Sequence, residues 1–131
     1  MTVRPAAPPR PVMHFEFMSD APARLAEFYG RLFGWARQDV PEMGYTMLQT
    51  GAGRGIDGAV GQAGPGLPVG LTVYVQVPDV ERALADATAL GAAVLQAPSD
   101  VPGVGRFAVL TDPDGNRVGL WTVPAEPAPA V

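Results

Sequence analysis

Two segments of the chain alternate hydrophobic and polar residues with the two-residue period of a β-strand. They are VMHFEF at 12–17 and LTVYVQV at 71–77. Their polar faces carry His14 and Glu16 in the first segment, and Thr72, Tyr74 and Gln76 in the second. Successive side chains of a strand point to opposite faces of a sheet, so each segment predicts a strand with one apolar face and one polar face.

A helical pattern follows each of these strands. After Asp20 and Pro22, apolar residues recur three and four positions apart, which predicts a helix over 21–33 that is capped by Asp20 and ended by Gly34. Asp79 predicts the cap of a second helix that ends at Gly91. The apolar stripe of this second helix consists of Val80, Leu84, Ala87 and Leu90.

Shorter segments complete the predicted elements. Strands are expected at 45–50, near 56–60, and at 93–96, 106–111 and 117–123, and the turn DPDGN at 112–116 predicts a hairpin between the last two. Loops are expected from the first helix through Pro41 and over the Pro- and Gly-rich stretch 97–105. The order of strand, helix and two or three strands therefore occurs twice, which predicts an α+β fold made of one repeated unit.

Composition narrows the class of protein. The length of 131 residues suits one domain, and 47% hydrophobic with 17% charged residues suits a globular core. The nine arginines are scattered singly and the formal net charge is −4, which argues against a nucleic-acid partner. Cysteine is absent, so thiolate metal sites are excluded. No apolar run suggests a membrane span or a signal peptide, so a cytoplasmic protein without a membrane partner is expected.

Five motifs follow one another between proline-rich ends: MHFEF at 13–17, EFYGRLFGW at 27–35, YVQVPDVERAL at 74–84, GRFAVL at 105–110 and TDPDGNRVGLW at 111–121. Together they resemble the glyoxalase, bleomycin-resistance and extradiol-dioxygenase superfamily, also called vicinal oxygen chelate proteins. The resemblance implies two tandem βαβββ modules, at about 12–66 and 67–123, that form one cup-shaped mixed sheet with the helices outside. It also allows a homodimer. The ends, 1–11 and 124–131, are predicted to be disordered tails.

Metal-dependent members of that superfamily take His, Gln or Glu ligands from the first and last strand of each module. His14 matches the first of these four positions, whereas the resemblance puts the others on Thr72 or Val73, on Gly119, and on Gly58 or Asp57. Catalytic metal sites use about three protein ligands, so no catalytic metal is predicted. The alternative is a divalent Zn, Ni, Fe or Mn ion held at a noncanonical site by His14 and Glu16.

His14 and Glu16 are also a candidate catalytic pair. They lie two residues apart on one strand face, and a histidine beside an enclosed carboxylate suits acid/base work at neutral pH. Their more ordinary interpretation is a hydrogen-bonded polar pair inside a pocket.

Further side chains are candidates for lining the cup and binding a ligand: Tyr45, Met47, Thr72, Tyr74, Gln76 and Trp121. An aromatic and amide lining with few charges suits a flat or apolar small molecule. For Met47 and Trp121, packing between the modules is an equally good interpretation. Arg106 and Arg117 flank the last hairpin; surface positions are favoured for both, although either would attract an anionic substrate if it pointed inward.

The leading hypothesis is a glyoxalase- and bleomycin-resistance-like protein that binds a small aromatic or dicarbonyl-type molecule in its cup without a catalytic metal. The first alternative is a metal-dependent lyase, isomerase or dioxygenase that uses His14. The second is a ferredoxin-like regulatory or interaction module, which would leave the third strands and the histidine unexplained. Whether the protein is an enzyme stays open at this point.

Overall fold

A computed structural model of the chain describes residues 9–124. The predicted tails at 1–11 and 124–131 therefore lie outside the described residues, except for 9–11 and 124. The elements are β1 (Val12–Ser19), α1 (Pro22–Phe33), β2 (Ala36–Val40), β3 (Tyr45–Gln49), β4 (Gly58–Gln62), β5 (Gly70–Gln76), α2 (Val80–Ala89), β6 (Ala93–Val101), β7 (Gly105–Thr111) and β8 (Arg117–Thr122). A 3₁₀ turn at Pro41–Met43 connects β2 to β3.

All eight strands form one open, curved sheet in the order β2-β3-β4-β1-β5-β8-β7-β6. The first strand of each module pairs in parallel with the last, β1 with β4 and β5 with β8. The antiparallel pair β1–β5 joins the two modules in the middle of the sheet. The predicted α+β fold of tandem βαβββ modules is confirmed, and a sheet of eight strands is incompatible with the smaller ferredoxin-like unit.

Both helices pack on the same face of the sheet, but over different cores. The core under α1 is partly aromatic and consists of Phe15, Phe17, Leu25, Ala26, Tyr29, Trp35, Leu48 and Val60. The core under α2 is aliphatic and is centred on Val77, Val80, Leu84, Ala108, Leu110 and Leu120. Because strand side chains alternate, the residues between these positions lie on the opposite, helix-free side, which we call the concave face.

The two edge strands differ from the prediction. Residues 36–40 form β2, paired with β3, where the sequence predicts a loop. Both faces of β2 are largely exposed, so its sequence lacks the hydrophobic alternation that identifies inner strands. Strand β6 continues through Val101, beyond the predicted end at 96, although it contains Pro98. An edge strand tolerates proline, and the register of β6 against β7 shifts between Gln96 and Ser99.

The two helices also begin differently. The Asp79 carboxylate accepts a hydrogen bond from the backbone N–H of Arg82 at 3.0 Å, which confirms the predicted cap of α2. Helix α1 instead begins after Ala21 with no side-chain cap, so the cap predicted at Asp20 is wrong. The nearest equivalent is Ser19, whose Oγ accepts from the backbone N–H of Ala21 at 3.0 Å. Neither helix of the described range 9–124 has the length and hydropathy needed to cross a bilayer.

Candidate functional site

The polar face of β1 lies at the centre of the concave face. His14 pairs with Tyr74 of β5, and Glu16 pairs with Thr72. Glu16 is only 6% exposed and Thr72 is fully buried. The alternation that predicts polar faces for β1 and β5 therefore brings these four side chains together on one side of the sheet.

Two tyrosine hydroxyls hold the carboxylate of Glu16. The Tyr45 hydroxyl donates a short hydrogen bond to Oε2, and the Tyr74 hydroxyl donates to Oε1 at 3.1 Å. His14 Nε2 lies 3.0 Å from the Tyr45 hydroxyl oxygen. These four residues form one hydrogen-bonded chain across the sheet, which we call the Glu16 network.

Small residues on β4 allow Tyr45 to reach Glu16. Strand β4 lies between β1 and β3, and on the concave face it presents Ala59 beside Glu16 and Gly61 beside Tyr45. The Tyr45 ring lies over Gly61, where an added Cβ would approach the ring to about 3.0 Å. A larger side chain at either position would block the path between the tyrosine and the carboxylate.

Gly119 has a matching role beside Tyr74. It pairs with Tyr74 across β5 and β8, and an added Cβ at Gly119 would overlap the tyrosine ring. Gly119 is the position where the resemblance leads one to expect a carboxylate ligand. The space of that missing side chain is filled by Tyr74.

Burial sets the protonation preferences of the network. Desolvation raises the pKa of Glu16, against the lowering effects of the hydrogen bonds from Tyr45 and Tyr74 and of the charge on Arg117. Desolvation also lowers the pKa of His14, against the raising effect of a hydrogen bond with the backbone of Asp57. The pKa values of both tyrosines are raised, first by burial and then by the neighbouring Glu16 charge. Burial therefore shifts the pKa of each of these four groups toward its uncharged form.

The remaining predicted lining residues lie on the concave face but outside the Glu16 network. Met47 shares the face of Tyr45 and pairs with Ala59, and Gln76 pairs with Trp121 beyond Tyr74 and Gly119. The Trp121 indole N–H donates to the carbonyl of Val104 at 3.0 Å, so this side chain anchors the turn before β7.

The two arginines of the last hairpin have different environments. Arg106 pairs with Glu81 of α2 and with Asp100, on the helix side of the sheet, so its predicted surface position is confirmed. Arg117 shares the face of Gly119, and its Nη1 is buried, so the surface position favoured for it is wrong. The two-residue period counted back from Gly119 was the signal that could have placed it on the concave face.

The side chains present do not fit the metal ion that members of the superfamily use. Within residues 9–124, no three His, Cys, Asp or Glu side chains are grouped so that they could hold a metal ion. His14 Nε2 and both oxygens of Glu16 are engaged by tyrosine hydroxyls. The donor atoms that a metal would need are thus already hydrogen-bonded within the protein.

Comparison with known proteins places this site in a family. The profile described as Glyoxalase-like domain matches residues 14–121. A protein named "Putative glyoxylase CFP32" from Mycobacterium tuberculosis is 34% identical over 103 residues, which cover 76% of this chain and 39% of that protein. The anthracycline biosynthesis protein DnrV from Streptomyces peucetius is 32% identical over 123 residues, covering 82% and 45% respectively. The chain spans less than half the length of these curated relatives.

A solved structure shares the fold. Methylmalonyl-CoA epimerase from Streptomyces coelicolor, in complex with 2-nitronate-propionyl-CoA, superposes with a TM-score of 0.62 at 20% identity, over 91% of this chain and 98% of the epimerase chain. The family match extends from His14 on the first strand to Trp121 on the last and includes both modules. The chain therefore belongs to the glyoxalase-like domain family of the vicinal oxygen chelate superfamily.

Proposed function

We propose that the protein binds a small organic molecule on its concave face and does so without a catalytic metal ion. The observation that carries the proposal is the Glu16 network. A metal at this site would have to replace the tyrosine hydroxyls on a carboxylate that is 6% exposed. It would also lack the last-strand ligand, because Tyr74 occupies the space at Gly119.

The surrounding side chains favour an aromatic or dicarbonyl-type ligand. Met47 and Trp121 are half-buried and present apolar and aromatic surface on the concave face, next to the buried ring of Tyr74, and few charges accompany them. Such a lining stabilises flat, weakly polar molecules through apolar contact, with a few polar groups to fix orientation. The name of DnrV, an anthracycline biosynthesis protein, is compatible with an aromatic ligand.

The binding proposal can be tested by thermal shift with a defined panel: daunorubicin, 2-hydroxy-1,4-naphthoquinone and methyl benzoylformate. A ligand present at 100 times its Kd stabilises the folded protein by about 2.7 kcal/mol, which corresponds to several degrees in Tm. Tyr74→Ala should weaken binding by about tenfold or more, whereas Tyr29→Phe, in the core under α1, should leave it unchanged. If no compound shifts the Tm, the binding proposal has no support.

Metal analysis tests the other half of the proposal. Protein purified without chelators should contain far less than one equivalent of Zn, Ni, Fe or Mn, and His14→Ala should not change that content. One equivalent of metal that is lost in His14→Ala would instead favour the metal-dependent lyase, isomerase or dioxygenase.

Metal-free proton transfer by His14 and Glu16 is a second candidate function. The observation in its favour is the direct path from His14 through Tyr45 to a carboxylate whose pKa burial raises. A buried carboxylate of this kind can take up a proton from a carbon acid next to a carbonyl. Exchange of such a proton for deuterium in D2O, followed by NMR and lost in Glu16→Gln, would support this activity; no exchange above the buffer rate would exclude it for the compound tested.

A further inference from the structure

The concave face contains an arginine whose hydrogen-bonding capacity is incompletely used. Arg117 Nη1 is buried and has no hydrogen-bond partner among residues 9–124. Nη2 of the same guanidinium donates one long hydrogen bond, 3.4 Å, to the carbonyl of Val69. The ion pairs found in the described range involve Arg31 and Arg106, and Arg117 forms none.

A second unpartnered group lies beside it. Thr72 is fully buried, and its Oγ1 has no hydrogen-bond partner in the described part of the chain. Val73 of β5 pairs with Val118 of β8, so Thr72 and Arg117, one residue earlier on each strand, are neighbours on the concave face. A buried polar group without a hydrogen-bond partner destabilises the fold, and two such groups on neighbouring strands indicate a missing partner.

Glu16 does not supply that partner. Glu16 lies on β1 opposite Thr72, and its charge interacts with that of Arg117. Both of its carboxylate oxygens, however, accept hydrogen bonds from tyrosines. The other two arginines on strands lie on the helix side: Arg37 beside Gly30 of α1, and Arg106 beside Glu81 of α2. Within β1 to β8, Arg117 is therefore the single arginine on the concave face.

We infer that Arg117 and Thr72 form a subsite for the carboxylate group of the small molecule that binds there; this inference rests on the proposed function and specifies its ligand class. A guanidinium matches a carboxylate with two parallel N–H donors, and a threonine hydroxyl adds a third. One arginine, without lysine anywhere in the chain, matches a singly charged anion better than a phosphate dianion. Arg117 as a whole is only half-buried and its Nη2 donates one long hydrogen bond, so the guanidinium can turn toward a ligand.

The test compares two probes of nearly equal shape: benzoylformate, a carboxylate, and its neutral methyl ester. Calorimetric titration of the wild-type protein should give a Kd for the acid at least tenfold lower than for the ester. Arg117→Gln should abolish this preference and leave the ester Kd within about twofold. Arg106→Gln, which removes an arginine from the helix side, is the matched control and should preserve the preference.

Thr72→Val provides a second variant that keeps the shape of the buried side chain. It should reduce the preference for the acid by several-fold while the Tm stays the same or rises, because the unpartnered hydroxyl is removed. Equal affinities for both probes in the wild type, or a preference that survives Arg117→Gln, would overturn the carboxylate subsite and leave the proposed function standing. Failure of both probes to bind would also overturn the subsite, while the thermal-shift panel decides separately on the proposed function.

Discussion

The two modules place a glycine beside an aromatic ring on opposite faces of the same sheet. In the first module, an added Cβ at Gly58 of β4 would overlap the ring of Phe15, which packs under α1. In the second module, an added Cβ at Gly119 of β8 would overlap the ring of Tyr74, which donates to Glu16. Gly58 leaves space for an aromatic ring in the core under α1, whereas Gly119 leaves space for an aromatic ring in the Glu16 network.

This difference shows how a repeated fold produces an asymmetric site. The first module supplies His14, Glu16 and the phenol of Tyr45, with an aromatic core under its helix. The second supplies the phenol of Tyr74 and the guanidinium of Arg117, with an aliphatic core. The two modules share a backbone arrangement. The side chains that each strand presents on the concave face differ, because they depend on the space that the residues of the neighbouring strands leave.

Gly58→Ala is expected to have the largest effect. The Phe15 ring packs against Phe17 and Trp35 in the core under α1, which restricts its movement, so the added methyl group should destabilise the protein by about 3 kcal/mol, measured by urea denaturation. Adding Phe15→Leu to the same chain should recover part of this loss. Full stability of Gly58→Ala alone would show that Phe15 does not occupy the space at position 58.

Gly119→Ala should have a smaller effect, about 1–2 kcal/mol, because both helices lie on the other face of the sheet and do not pack over the Tyr74 ring. The displaced ring would weaken its hydrogen bond to Glu16, so the side-chain NMR resonances of Tyr74 should shift as well. In Gly58→Ala the Tyr74 resonances should remain as in the wild type. A shift of the Tyr74 resonances in both variants would contradict the separation of core and site.

Glu16→Gln should change how stability depends on pH. The pKa of Glu16 is raised above its ordinary value of 4.5 in the folded protein, so its ionisation destabilises the fold. The stability of the wild type relative to Glu16→Gln should therefore be greatest below pH 4.5 and decline as the pH rises through the raised pKa. Chemical denaturation at a series of pH values measures this difference.

Two comparisons sharpen this experiment. Because the pKa of His14 is lowered in the folded protein, His14 makes the protein less stable as the pH falls below 6.5, which is the opposite pH dependence. His14 is present in both the wild type and Glu16→Gln, so its contribution to the difference between them largely cancels. Tyr45→Phe removes a hydrogen bond that lowers the pKa of Glu16, so the decline should extend to higher pH in that variant. A pH-independent difference between wild type and Glu16→Gln would contradict the raised pKa.

The smallest effects concern the helix starts. Asp79→Ala should cost about 1 kcal/mol, because it removes the hydrogen bond to the N–H of Arg82. Asp20→Ala, one residue before the cap position of α1, should stay within about 0.5 kcal/mol, because this helix has no side-chain cap. Equal losses in the two variants, measured by thermal or urea denaturation, would contradict the different starts of the helices.

The central strands could be predicted from the sequence because each has one buried face toward a helix. A strand with one buried face alternates hydrophobic and polar residues, as β1 and β5 do. The alternation also places four polar side chains on one face of the sheet: His14, Glu16, Thr72 and Tyr74. The condition of one buried face does not apply to β2, whose residues are mostly exposed on both faces.

The contacts within the site could not be predicted in this way. Tyr45 and Glu16 are 29 residues apart, and their contact depends on small side chains on the intervening strand β4. The position of Arg117 depends equally on the pairing of β8 with β5. Both features follow from strand order, which a local pattern of residues does not contain.

The ends of the open sheet have a consequence for the behaviour of the protein at high concentration. Among residues 9–124, strands β2 and β6 each have one backbone edge that pairs with no other strand. Strand β2 carries Arg37 and Asp39, and β6 carries Pro98, Asp100 and two irregularities of register. Charges, proline and bulges at an edge prevent another chain from adding as a further strand. The features that leave β2 and the second half of β6 without a strand pattern in the sequence therefore also disfavour edge-to-edge association of the protein.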